Sequence, residues 1–213
     1  MSQDVIRPAQ ILVDAEHLIN VPIFRSHGGL ASLALKNHYG SVAYRYNDQR
    51  SLHGYFDPLD PLGNNNYGCD LNTQNILADI SNNPHIRNKT RLIVGEGIFG
   101  HSWDNMLAPI RYTSFGNDDP NIYFFGINPI AVSSVMADSL NYERSVSPIP
   151  QTKWPNANGV EHHHQLHAGA FLGLGVHEHW NNPNERKYTV IDYIRIDLDT
   201  QLPSAPTDLR IVP

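Results

Sequence analysis

Two hydrophobic periods share the chain, and they predict an alternation of strands and helices. "EHLINVP" is a short buried strand ending at Pro22, since proline cannot continue a central ladder. Leu30, Leu33, Ala34 and Asn37 then fall at helical spacing, which predicts a short helix starting directly after Gly28 and Gly29. "SVAYRY" is a candidate second strand, and residues 51 to 71 hold the Gly, Pro, Asn and Asp of turns. "NTQNILADISNNP" predicts a helix capped by Asn72 or Thr73, with Ile76, Leu77 and Ile80 as its apolar face and Pro84 after its end.

"TRLIVGEGIFG" is a strand entering a glycine-rich turn, and "NIYFFGINP" is another strand. "INPIAVSSVMADSLNYE" is a helix with Asn128 as cap and Pro129 in its first turn. Its predicted buried side is Ala131, Val132, Val135, Met136 and Leu140. "YIRIDLD" alternates with Ile194, Ile196 and Leu198 on one face, as in a strand. Together these predict an α/β fold, a mixed or mainly parallel sheet flanked by helices in a single domain. That domain would span residues 1–200; residues 201–213 shift to Pro, Ser and Ala and read as a linker towards a fibronectin type III-like module.

Composition narrows the function classes. With 213 residues, 40% hydrophobic and 17% charged, the chain can bury a sizeable core. A net charge of -6 and the lack of any basic run argue against nucleic acid as a partner. The apolar runs are too short for a membrane span. One cysteine, Cys69, excludes an internal disulfide framework and a thiolate-rich zinc site. Neither a basic n-region nor an apolar h-region opens the sequence; the abundance of Asn and Tyr over Lys leans towards an exported protein.

Three constellations carry candidate chemistry. In "SHGGLASLALKN", backbone N–H groups after Gly28 and Gly29 at a helix start would seat an anion, with His27 as acid/base and Lys36 and Asn37 holding the anion. Continuous helix would put His27 and Lys36 roughly 13 Å apart along the axis, so they share a site only if the stretch folds back. A glycine turn with a surface lysine stands beside that reading at even weight. In "EHHHQLHAGAFLGLGVHEHW", His163 and His167 are four apart on a helix, and His177 and His179 point the same way on an extended segment while Glu178 points opposite. Nitrogen ligands without thiolates suit zinc, copper, nickel or iron; a solvated His cluster is the equal alternative. In "VGEGIFGHSWD", Glu96 sits directly after a strand with His101 close by, either facing a ligand or capping a backbone group, the structural option being favoured.

"LINVPIFRSHGGLASLALKNHYGS", "KTRLIVGEGIFG", "GINPIAVSSVMAD" and "LHAGAFLGLGVHEHW", in this order, resemble the bacterial domain-of-unknown-function 362 family over most of residues 15 to 180. This chain has Asn128 and Ser133 where that family carries acidic residues, and it begins shortly before the first shared segment, as if the family's N-terminal part were missing. A missing part would leave a sheet edge or face uncovered, hence an expectation of homo-oligomers. A looser likeness of "SHGGLASLALK" is to the lactate racemase superfamily, which implies a nickel-pincer cofactor. The expected function is a metal-assisted enzyme acting on a small anionic or hydroxylated molecule. The alternative is a non-catalytic binding or structural module of a larger exported protein.

Overall fold

A computed structural model of the chain describes residues 7–27, 30–43, 73, 75–101, 108–149, 164–182 and 184–197. The described part is an α/β arrangement built on a mixed three-stranded sheet. Strand β1 (Arg7–Pro8) precedes helix α1 (Gln10–Asp14), then come β2 (Leu18–Asn20), β3 (Arg25–His27) and β4 (Leu30–Ser32). Helix α2 (Ala34–Asn37) runs through a 3-10 turn into β5 (Val42–Ala43). Two short helices, α3 (Ile76–Ser81) and α4 (Pro84–Arg87), lead to β6 (Thr90–Gly97) and β7 (Ile122–Gly126). The long helix α5 (Pro129–Val146) and then α6 (His164–Phe171) complete the order. In the main sheet β6 is central, parallel to β2 and antiparallel to β7.

Asn128 caps α5 as the sequence predicts, its side chain accepting the N–H groups of Ile130 and Ala131 at 3.0 Å each. The helix covers one face of the sheet: a Cβ at Gly95 would meet Met136 Sδ at 2.8 Å, so the strand needs a glycine there. Phe24, Leu33, Leu35, Ile93, Tyr112, Met136, Leu140 and Leu166 form one buried cluster. No helix among the described residues is long and apolar enough to cross a membrane.

Several local expectations need correction. The stretch after the glycines does not enter a helix at once: Leu30–Ser32 pairs as β4 with β3, Arg25 opposite Ser32 and His27 opposite Leu30, and α2 starts only at Ala34. Hairpin pairing outweighs the helical spacing because it satisfies the backbone groups of both strands. Strand β2 ends at Asn20, before Pro22 as expected, but Ile19 within it is exposed rather than buried, and past Pro22 an isolated bridge joins Ile23 to Glu96. The Pro22 carbonyl accepts the N–H of Glu96 at 2.8 Å, and Phe24 N–H donates to the Glu96 carbonyl at 2.6 Å. A proline lacks only the donor, so pairing resumes on its other side. The cap of α3 is Asn75, which accepts from Leu77 N–H at 3.0 Å, rather than Asn72 or Thr73. Pro84 opens α4 behind its own cap, Asn83. Residues 192–197 form no strand: Ile194 and Ile196 are exposed, and alternation without a partner ladder makes no sheet. Beyond Val42–Ala43, the "SVAYRY" strand, the turns of 51 to 71 and the linker lie outside the described residues.

Candidate functional site

The β3–β4 hairpin folds the first constellation back on itself and makes a cleft. Arg25, Ser32, Lys36, Asn37, Tyr39 and Gly40, with Pro22, Ile23 and Leu33, line a space of about 240 Å³. Arg25 and Ser32 are cross-strand partners, so their side chains share one face; Lys36 and Asn37 come from the helix that follows. Lys36 lies 5.4 Å from the Tyr39 ring centre. Burial, and then the charge of Arg25, hold the Lys36 ammonium below the ordinary lysine range. Among the described residues, the lining carries two cations, Arg25 and Lys36, and no carboxylate.

Asn37 is set from beneath. Its amide donates to Asn20 Oδ1 at 2.7 Å, while Asn20 Nδ2 donates to the Ala34 carbonyl at 2.9 Å and meets His38 Nε2 at 3.1 Å. The Ala34 carbonyl can only accept, which fixes the orientation of the Asn20 amide. His38 Nε2 is therefore an acceptor, and its proton sits on Nδ1 facing Ser41 Oγ at 3.2 Å. Burial lowers the His38 pKa to about 4, so the ring is neutral.

The expected anion seat at a helix start is corrected by this geometry. Helix α2 begins five residues after Gly29, and its first N–H, from Ala34, donates to Ser133 Oγ at 3.1 Å. Gly28 and Gly29 lie outside the described residues, as does the side chain of His27, whose backbone ends β3. Glu96 is also corrected: it lies inside β6, not after it, and its Oε1 accepts the Ile98 N–H at 2.7 Å, the capping option. Glu96 does not line the cleft. Nor does His101, whose backbone is held by Tyr112: the phenol donates to the His101 carbonyl at 2.8 Å and accepts its N–H at 3.1 Å.

The late histidines do come together. His177 has its ring centre 4.6 Å from that of His167 and 4.8 Å from that of His179, both contacts edge to face. Gly173, in the left-handed region at φ 69°, turns the chain back after α6, and Gly175 sits so close to the Asn128 amide that a Cβ there would overlap it. The extended segment then presents His177 and His179 to α5. Glu178 points away, as alternation requires, and accepts the backbone N–H groups of Thr189, Val190 and Ile191 at 2.5, 2.7 and 3.0 Å. Desolvation works upward on its pKa, but these hydrogen bonds bring it down to about 2. His177 is held down to about 3 by burial first and by His167 and His179 next. His163 lies outside the described residues. Among the described residues no group of three His, Cys, Asp or Glu side chains is placed to hold a metal as it stands.

Arg25, Asn20, Ser134 and Asp138 escaped the sequence reading. Arg25 stands two positions before His27 on a strand, a spacing that could have flagged it. Ser134 and Asp138 meet their partners only through packing. No family model, no curated protein and no solved structure matches the chain, so its chemistry is read from its own side chains.

Proposed function

We propose that the protein binds a small anion, a carboxylate or phosphate group, in the cleft between β3 and α2. The observation that carries this is the presence of Arg25 and Lys36 in one small cleft whose described lining has no carboxylate. Two cations brought together and partly desolvated repel each other, and an anion between them reverses the sign of that interaction. Asn37 orients the ligand, braced by Asn20.

Isothermal titration of the full chain with inorganic phosphate and with acetate tests this reading. Lys36→Met and Arg25→Met should each weaken binding at least about tenfold with unchanged circular dichroism, since a charge-assisted contact is worth about 1.5–3 kcal/mol. Equal affinity in both variants and the parent would sink the proposal.

A second reading, an interaction module, draws on the other face of the sheet. Ile19, Val21, Ile23, Tyr123, Phe125 and Ile127 are all exposed there, Phe125 at 67% and Ile127 at 78%. Register places them on one side: Ile19 pairs with Leu92, Ile23 with Glu96, Val94 with Phe125 and Glu96 with Tyr123. Their exposed surface is on the order of 700 Å², near the roughly 800 Å² that each partner contributes to a standard interface. The occupant this supports is a second copy. A twofold axis parallel to β6 would set the aromatic edge of each sheet on the aliphatic edge of its partner.

A further inference from the structure

We propose that His167, His177 and His179 form a site for a divalent transition metal, with zinc as the simplest occupant. The proposal is independent of the anion cleft, whose lining contains none of these residues. It rests on the groups behind the two rings that face α5. Ser134 Oγ donates its hydrogen to the Ile130 carbonyl at 2.8 Å, so towards His177 Nδ1, also at 2.8 Å, the serine oxygen accepts. His177 therefore carries its proton on Nδ1 and its lone pair on Nε2, which is buried.

Asp138 does the same for His179. Its side chain is 4% exposed, and Oδ1 lies 2.7 Å from His179 Nδ1. Its Oδ2 accepts the Trp180 N–H at 2.9 Å and the Tyr188 hydroxyl at 3.0 Å. Burial and the neighbouring Asp138 raise the Tyr188 pKa, which keeps the phenol a donor. A carboxylate held in this way accepts from His179 Nδ1–H and leaves the lone pair on Nε2. A buried hydroxyl or carboxylate that fixes one ring nitrogen as donor, so that the other can coordinate, is the support a metal-binding histidine uses.

Spacing agrees. Two imidazoles on one tetrahedral ion, with nitrogens at 2.0–2.1 Å, have ring centres roughly 5 Å apart. The observed separations are 4.6 and 4.8 Å. Orientation is what differs: the rings meet edge to face, and because His177 and His179 are held at Nδ1, the half-buried His167 is the ring that turns to bring its nitrogen to the metal. The three proposed ligands are all imidazoles, and a nitrogen donor set suits zinc, copper, nickel or iron.

Zinc titration of the untagged full chain in competition with a chromophoric chelator tests the site. One tight equivalent is expected. His179→Ala, at a half-exposed position, should remove it with unchanged circular dichroism, and Asp138→Asn should weaken it about 10–100-fold, the usual effect of losing such a support. Ser134→Ala reports on the second ring without disturbing a charge, and should also weaken binding. No zinc uptake, or uptake that persists undiminished in His179→Ala, overturns the proposal, because the metal would then be absent or held by other histidines of the chain.

Discussion

Lowering the pH should destabilise the fold through His38, by an amount that its surroundings set. The ring is 8% exposed, and Nε2 accepts from Asn20 Nδ2 at 3.1 Å. A proton added at Nε2 would set one N–H against another inside the core and place a charge beside the backbone of α2. The folded value of about 4 lies below the 6.5 of an unfolded histidine. The contribution of neutral His38 is thus whole above pH 6.5 and drains away as the pH falls towards 4. The gap is worth about 3 kcal/mol, a substantial part of the 5–15 kcal/mol that holds a domain together. His38→Asn isolates it: asparagine can accept from Asn20 but does not titrate in this range. Urea unfolding at pH 7.5 and at 4.5 should find the variant less stable at the higher pH, because the smaller side chain leaves a void. Its disadvantage should shrink by about 2–3 kcal/mol at the lower pH, where only the parent loses the His38 contribution. Other groups that titrate in the same window cancel in the comparison. Parallel pH profiles for parent and variant would refute the reasoning, since they would mean that His38 is protonated as easily in the fold as out of it.

Two further outcomes follow, one from a buried carboxylate and one from an exposed ring. Glu143, fully buried, accepts the Thr113 and Ser114 N–H groups at 2.9 and 2.7 Å, so Glu143→Ala should cost about 2–5 kcal/mol in denaturant unfolding, and Glu143→Gln, which keeps one acceptor, distinctly less. Phe125→Asp should turn a dimer into a monomer in light scattering at micromolar concentration with the fold intact; a parent that is already monomeric would remove the case for the sheet face as a self-association surface.

The elements legible in the sequence are those whose signals are local and long. β6 and β7 are runs of β-formers, and α5 carries its asparagine cap and its proline in the first turn. What misled was short. Leu30, Leu33, Ala34 and Asn37 fit a helical period, yet Leu30, Ala31 and Ser32 are claimed by a hairpin whose other strand supplies the hydrogen bonds. "YIRIDLD" has the opposite fault, alternation with no neighbour to pair with. A strand is decided by its partner, and the partner is not in the window being read.

The candidate sites were half legible for a related reason. Lys36, Asn37 and the histidines announce themselves by residue type, but Asn37 is braced by Asn20 on β2, and the groups that orient His177 and His179 sit on α5 at positions outside its apolar stripe. That helix is buried on nearly every side, and its polar residues are buried with it. Each is matched to a different distant segment: Ser133 to the first N–H of α2, Ser134 to His177, Asp138 to His179, Trp180 and Tyr188, and Glu143 to Thr113 and Ser114. A buried polar group costs free energy unless it is hydrogen-bonded, so each of these positions specifies one neighbour in one orientation. The spacing shows how. Ser134 and Asp138 are one helical turn apart, and His177 and His179 are two residues apart on extended chain. A turn of helix rises about 6 Å over four residues and a strand about 7 Å over two, so the two pairs run in step. The match lies between two periods more than forty residues apart in the chain. It is invisible to any reading that follows one period at a time, and it is what turns a histidine-rich stretch into a pair of oriented rings.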